Sequence, residues 1–268
     1  MDLQLNGKRA LVTGSTSGIG RAIALTLAAE GAAVIVHGRD AARAKETADA
    51  ITARGGRSAI ALGDLTTNPD AQRIAEAAET AFGGIDILVN NAASNDGEPT
   101  WTADGPDQWL ALYNANVASA VRLITALTPP MRTAGWGRVI QIGSAAHPFP
   151  LPMKAAYSAT KAALANLTVS LAKELTGTGV TANTISPGPT ATEHFHELAL
   201  NFAHHHGMGD DTTAATRALL QGPLANPSGR LTEPHEIAAL TALVASPLGA
   251  SINGANLRID GALTPTVN

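Results

Sequence analysis

Tyr157 and Lys161 bracket the run Tyr157, Ser158, Ala159, Thr160, Lys161, and on a helix this spacing sets a phenol and an ammonium one turn apart on one face. A phenol with its ordinary pKa of ~10 exchanges protons poorly near neutral pH, and a neighbouring cation favours its ionised form. The pair could therefore trade a proton with a carbonyl or alcohol oxygen. Taken alone, the same spacing usually means a plain helix-surface contact. Ser144 follows an apolar strand over 138–142, where its hydroxyl could orient an oxygen, and Asn116 read by itself is a cap or a buried amide.

The elements that must bring these groups together alternate regularly. Strands are predicted over 9–13, 33–37, 57–62, 85–89, 137–142, 180–185 and 256–259. Helices are predicted from Gly20 to about Glu30, over 40–54, 69–82 and 153–175, and over 233–245 with Thr232 as cap and Pro234 in the first turn. A further helical region holds Trp109 and Val117 and precedes Pro129 and Pro130. Alternation of strand and helix with short connections implies an α/β fold with a parallel sheet and helices on both faces. One domain over 1–268 is expected, with a less regular, lid-like insertion at about 192–230 punctuated by Gly207, Gly209, Pro223, Pro227 and Gly229.

Directly between the first strand and the first helix lies Gly14, Ser15, Thr16, Ser17, Gly18, Ile19, Gly20. Glycines there let the backbone approach a pyrophosphate, and the helix N-terminus favours its negative charge. Arg21 and Ala22 stand where a Walker-type loop needs Lys and Ser or Thr, which excludes that loop. The second strand ends in His37, Gly38, Arg39 rather than in the acidic residue that binds an unmodified ribose. A guanidinium at that point favours a 2′-phosphate, so NADP(H) is expected over NAD(H). Asp64 and Leu65 after the third strand and Asn90, Asn91 and Ala92 after the fourth fall at strand ends, where ligands of open α/β sheets bind.

Composition narrows the remaining choices. The chain has 268 residues, 45% hydrophobic and only 3% aromatic, so its core must be mainly Ala, Leu, Ile and Val. A net charge of −4 without a basic run argues against nucleic-acid or membrane-surface binding and for a small-molecule partner. There is no cysteine, hence no disulfide framework or thiolate metal site. The N-terminal residues lack the pattern of a signal peptide, and no apolar run approaches the ~20 residues of a membrane span, so a cytoplasmic location is expected. His194, His196, His204, His205 and His206 show no recognisable ligand spacing, and no metal is expected. His147 and Trp101 are open: each could border a substrate or face water.

In this order and spacing, Thr13 to Gly20, Asp64 and Leu65, Asn90 to Ala92, Asn116 and Val117, Ser144, Tyr157 to Lys161, Pro187 and Gly188, and Asp260 and Gly261 are highly specific. The chain resembles the short-chain dehydrogenase/reductase family over nearly its whole length. The resemblance implies a Rossmann-type three-layer sandwich with a seven-stranded sheet, a nicotinamide dinucleotide, and a tetrad of Asn116, Ser144, Tyr157 and Lys161. It further implies that Lys161 holds the nicotinamide ribose and that Asn116 fixes a water between backbone and Lys161. The turn from Pro187 through Gly188 would close over the nicotinamide, with the Thr190 backbone and the Thr192 hydroxyl as contacts. Like many family members, the chain would form a homotetramer, pairing the helices that carry Asn116 and Tyr157 across a two-fold axis. Ala93 and Ala262 stand where the family commonly has Gly.

The expected activity is interconversion of a ketone and a secondary alcohol, 3-oxoacyl thioester reduction being one form. Phe195, Leu198, Leu200, Phe202, Met208, Leu219, Leu220 and Leu224 in the 192–230 stretch suit a largely apolar substrate. The alternative is a catalytically silent nucleotide sensor, which would need none of the four polar side chains.

Overall fold

The computed structural model describes residues 1–95, 101, 105–150 and 154–266. Seven strands, β1 (Arg9–Val12), β2 (Ala33–Gly38), β3 (Arg57–Leu62), β4 (Ile87–Asn90), β5 (Gly137–Ile142), β6 (Val180–Pro187) and β7 (Asn256–Ile259), form one sheet in the order β3-β2-β1-β4-β5-β6-β7. Every pairing is parallel. The helices are α1 (Gly18–Ala29), α2 (Ala41–Thr52), α3 (Asn68–Phe82), α4 (Pro106–Tyr113), α5 (Ser119–Ala134), α6 (Ala155–Glu174), α7 (Glu193–His205), α8 (Thr212–Gln221) and α9 (Pro234–Ala245).

Strand periodicity explains the three layers. Along β1, Ala10 and Val12 point to one face with Ile23 and Leu27 of α1, Ile51 of α2 and Ile237 of α9. Leu11 points to the other, with Ile74 of α3, Leu123 and Leu127 of α5 and Ala172 of α6. Each fully buried Leu or Ile adds about 1.5–3 kcal/mol of transfer free energy. The strand order reverses between β1 and β4, which opens a crevice at their carboxyl ends.

Several local expectations change. β4 begins at Ile87 rather than residue 85, because Asp86 is engaged by Arg9: its carboxylate accepts from the Arg9 backbone N–H at 2.9 Å and from the guanidinium at 2.7 and 2.8 Å. The prolines expected beyond the long helix lie inside it. α5 runs through Pro129 and Pro130 to Ala134, then stops on Gly135 at φ 70°. Each proline removes a backbone donor, yet Leu123, Leu127 and Met131 lie on one buried stripe, and that burial carries the helix through. Pro106–Ala134 is, among the described residues, the one helix long and apolar enough to cross a membrane by length and composition. Its buried stripe identifies it as a core helix.

The cap of α9 is Glu233, not Thr232: the Glu233 N–H donates to Glu236 Oε2 at 2.7 Å in a reciprocal capping box. Thr232 is buried and bridges to Thr190. α6 begins at Ala155, after Lys154 at φ 60°; the expected start at residue 153 lies outside the described residues. β6 extends to Pro187, which pairs with Ile259. The 192–230 stretch is more regular than expected, with α7 and α8 packing on each other through Phe195, Ala199, Ala203, Ala215 and Leu219. Ala262 has φ 64°, the left-handed region that the glycine common at that place tolerates freely.

Candidate active site

The crevice holds a groove of about 460 Å³ lined by Gly14, Thr16, Ser17, Gly18, Ile19, Gly20, Arg39, Asp64, Leu65, Asn91, Ala92 and Thr192. Gly14, at φ 62°, makes the turn out of β1. Gly20 is required by packing, since a Cβ there would lie 2.3 Å from the Gly14 carbonyl oxygen. Asn91 Nδ2 donates to the carbonyls of Thr13 (2.9 Å) and Gly14 (3.1 Å), which fastens the turn to the end of β4.

The residues fit a dinucleotide by a physical test. Ser17 gives α1 no side-chain bond, as Gly105 and Lys154 give none to α4 and α6, and the α1 terminus is the one that lines this groove, through Ser17, Gly18, Ile19 and Gly20. The first-turn N–H groups of α1 are thus left for an anion in the groove. Ser15 departs from its expected contact: it is fully buried, and its hydroxyl donates to the Val12 carbonyl at 2.7 Å. It shapes the loop from behind. Arg39 is exposed at the far end of the groove, near Asp64. The Asp64 carboxylate accepts from the Thr66 N–H at 2.9 Å, the main reason its pKa lies below the ordinary value, with Arg39 adding to the effect.

A second cavity of about 360 Å³ adjoins the groove and contains Ser144, Tyr157 and Lys161, together with Pro187, Gly188 and Thr190. Gly188 allows close packing there, because a Cβ would lie 2.8 Å from Asp260 Cα. Lys161 is buried, and its Nζ donates to the Ile142 carbonyl at 2.8 Å. Desolvation lowers its pKa from 10.5 to about 8. Burial pushes the pKa of the Tyr157 phenol up, against the opposing influence of the neighbouring Ser144 hydroxyl. Lys161 Nζ lies 5.6 Å from the phenol ring centre, and the expectation that it pulls the phenol down is not met. Loss of water around the hydroxyl outweighs the opposing influence of Ser144 and sets the direction.

Asn116 is buried in a π-helical turn, Asn114–Ala118, between α4 and α5. Its Oδ1 accepts from the Ser94 N–H at 2.7 Å, and its Nδ2 donates to the Ser94 carbonyl at 2.9 Å and to Thr160 Oγ1 at 3.0 Å. Thr160 in turn donates to the Tyr157 carbonyl at 2.7 Å. Thr160 was not singled out from sequence, although it lies inside the Tyr157 to Lys161 run.

Thr192 caps α7 by accepting from the Phe195 N–H at 3.2 Å, so its hydroxyl already serves a helix end. Of the apolar residues expected to meet substrate, Phe195, Leu198 and Leu224 line the cavity, while Phe202, Met208 and Leu219 pack within the α7–α8 hairpin. Sequence reasoning also missed a polar edge, where Lys154 Nζ donates to the Asn95 carbonyl at 2.9 Å and Asn95 Nδ2 approaches His194 Nε2 at 3.2 Å. No motif marks it. His147 turns Nδ1 to the Ser144 carbonyl at 3.2 Å, and Trp101 packs on Trp109 at 5.2 Å while staying exposed. His204 faces Asp210 at 2.8 Å and His206 stacks on Phe202.

Comparison with known proteins decides the family. A family model described as short chain dehydrogenase matches residues 8–201. The chain is a short-chain dehydrogenase/reductase. This short-chain dehydrogenase/reductase is 40% identical to the uncharacterized oxidoreductase YvaG of Bacillus subtilis over 273 residues, covering 100% of both chains. It is 35% identical to the 3-oxoacyl-[acyl-carrier-protein] reductase FabG of Vibrio cholerae over 262 residues, covering 97% of this chain and 99% of the relative. In three dimensions it is similar to L-sorbose reductase from Gluconobacter frateurii complexed with NADPH and L-sorbose, with a TM-score of 0.94 at 30% identity over 100% of both chains. As a family member it is an oxidoreductase that binds a nicotinamide cofactor and acts on CH-OH or C=O groups of small molecules.

Proposed function

We propose that the chain is an NADP(H)-dependent enzyme interconverting a ketone and a secondary alcohol, with Tyr157 as general acid and base. The observation that carries this reading is that Tyr157, Ser144 and the buried Lys161 line one cavity that opens onto the phosphate-binding groove. When bound, a nicotinamide supplies or accepts the hydride. The chain's own residues do the rest. Ser144 orients the substrate oxygen. Tyr157, kept protonated at neutral pH by burial, gives it a proton in reduction and takes one back in oxidation. Lys161 holds ribose hydroxyls and passes protons onward. Asn116 and Thr160 position the helix that carries Tyr157 and Lys161. Gly14, Thr16 to Gly20, Asn91, Ala92, Pro187, Gly188, Thr190 and Thr192 form the cofactor walls.

Arg39 supports NADP over NAD because it directly follows β2 on the groove, where NAD-binding units carry an acidic residue. The NADPH complex of the sorbose reductase is consistent with this choice. We assign 192–230 the role of a lid within a single domain, with Phe195, Leu198 and Leu224 meeting an apolar part of the substrate and Asn95 and His194 a polar part. A homotetramer is supported by exposed Leu110, Tyr113 and Val121 on α4 and α5 and Val169 on α6.

Replacing Tyr157 by Phe tests the assignment against a silent sensor. NADPH oxidation with a panel of ketones, keto sugars and acyl thioesters should fall by about 10²–10⁴-fold. Fluorescence titration should show NADPH affinity unchanged. Wild-type turnover in the variant, or cofactor binding without turnover in the parent chain, would overturn the proposal.

A further inference from the structure

His37 is the largest polar side chain at the groove that the proposed chemistry leaves without a task. It is the penultimate residue of β2, is only 3% exposed, and is joined to the glycine turn by three hydrogen bonds. The Gly14 N–H donates to His37 Nδ1 at 3.2 Å, the Ser15 N–H to the His37 carbonyl at 2.9 Å, and the His37 N–H to Ser15 Oγ at 3.0 Å. Two of these use the backbone and would survive substitution. The first needs an imidazole nitrogen with a free lone pair.

Gly14 is the residue on which the groove turns. Its carbonyl is held by Asn91 Nδ2, and α1 packs onto it at Gly20. With the Gly14 N–H held as well, the peptide on each side of this left-handed residue has one orientation, and so has the uncapped first turn of α1. We infer that His37 is a positioning residue for the cofactor, its neutral imidazole accepting from Gly14 and thereby aiming the phosphate-binding turn. This inference rests on the reading of the groove as a dinucleotide site.

The surroundings keep the ring in the state this task requires. Nε2 makes no hydrogen bond, although the Gly63 carbonyl lies beside it. Charged neighbours among the described residues are Asp64, after β3, and Arg39, two residues on; from the β1 side Gly14 and Ser15 meet it. Burial dominates over the help from Gly63 and Asp64, and holds the imidazole at about 4. The proton of the neutral ring is then on Nε2, leaving Nδ1 to accept.

Nitrogen-15 NMR of the whole chain at neutral pH should show His37 as the neutral Nε2–H form, before and after addition of NADPH. A doubly protonated ring or an Nδ1–H form would overturn the inference. His37→Asn keeps an acceptor two bonds from Cβ, where Nδ1 stands, whereas His37→Gln moves it outward and His37→Leu removes it. NADPH dissociation constants should stay within about threefold of wild type for His37→Asn and rise about tenfold or more for His37→Leu and His37→Gln, as expected for an orphaned donor. In steady state the loss should appear in the KM for NADPH, with kcat little changed. Equal affinities across the three variants, each confirmed folded by its melting curve, would sink the role of His37. Failure of the wild-type chain to bind NADPH or NADH would instead refute the reading of the groove.

Discussion

Asn116 and Thr160 meet side chain to side chain, the amide Nδ2 lying 3.0 Å from the hydroxyl oxygen. Thr160 passes the contact on to the Tyr157 carbonyl, and Asn116 is anchored at its other end on the Ser94 backbone. One buried amide therefore ties the loop after β4 to the first turns of α6. Thr160→Val removes the hydroxyl at nearly constant volume and should cost about 1–3 kcal/mol by leaving Asn116 Nδ2 short of a partner. Melting curves and turnover should fall together. A variant with unchanged Tm and turnover would show that this contact positions nothing.

Arg39 should decide cofactor choice. Arg39→Ala should weaken NADPH by about tenfold to a hundredfold, the range of a charge-assisted hydrogen bond, and leave NADH nearly as it was. Parallel titrations with the two cofactors check it, and equal losses for both would remove the 2′-phosphate from the account.

Protonation at Tyr157 and Lys161 sets a pH signature. With the phenol's pKa raised by burial, ketone reduction should hold level through neutral pH and decline above about 8, where Lys161 loses its proton. Stability follows the same lysine. Its folded pKa of about 8 lies below the ordinary 10.5, so the unfolded chain holds more protons between these values and stability rises with pH across that window. Below about 8 the buried ammonium is a net cost. Lys161→Met should therefore abolish turnover while Tm at neutral pH holds or rises, at about 2–4 °C per kcal/mol for a chain of this size. A clear fall in Tm would contradict the burial argument.

Ala262 offers a test away from the chemistry. Its φ of 64° costs a non-glycine residue about 1–2 kcal/mol, and a glycine gives back part of this as chain entropy in the unfolded state. Ala262→Gly should gain about 0.5–1 kcal/mol in denaturant unfolding, with no change in cofactor affinity. Destabilisation would mean that the methyl group is used in packing.

The residues that carry the fold announce themselves in the chain because their cause is local. Gly14 and Gly20 mark a turn between an apolar strand and an alanine-rich helix, and nothing but glycine fits the contact of Gly20 with the Gly14 carbonyl. The place of the catalytic candidates was legible from the order of motifs around Tyr157. Their electrostatics were not, since the rise of the Tyr157 pKa comes from burial supplied by distant elements. Ser15 looked like a ligand and faces the core, a choice made by the Val12 carbonyl beneath it. The helix through Pro129 and Pro130 shows a global term, the burial of Met131, overruling a local one. Asn95 and His194 are separated by ninety-nine positions and meet only through the fold.

The α7–α8 hairpin owns a small core, and none of the buried residues of the two sheet-facing cores comes from it. Changes at Phe195, Leu198 or Leu224 thus reshape one wall of the cavity that holds Tyr157 while the sheet keeps its packing. If the hairpin is the proposed lid, substrate range becomes separable from the sheet: swapping the α7–α8 segment would change what enters the cavity and leave the packing behind Tyr157 and Lys161 as it is.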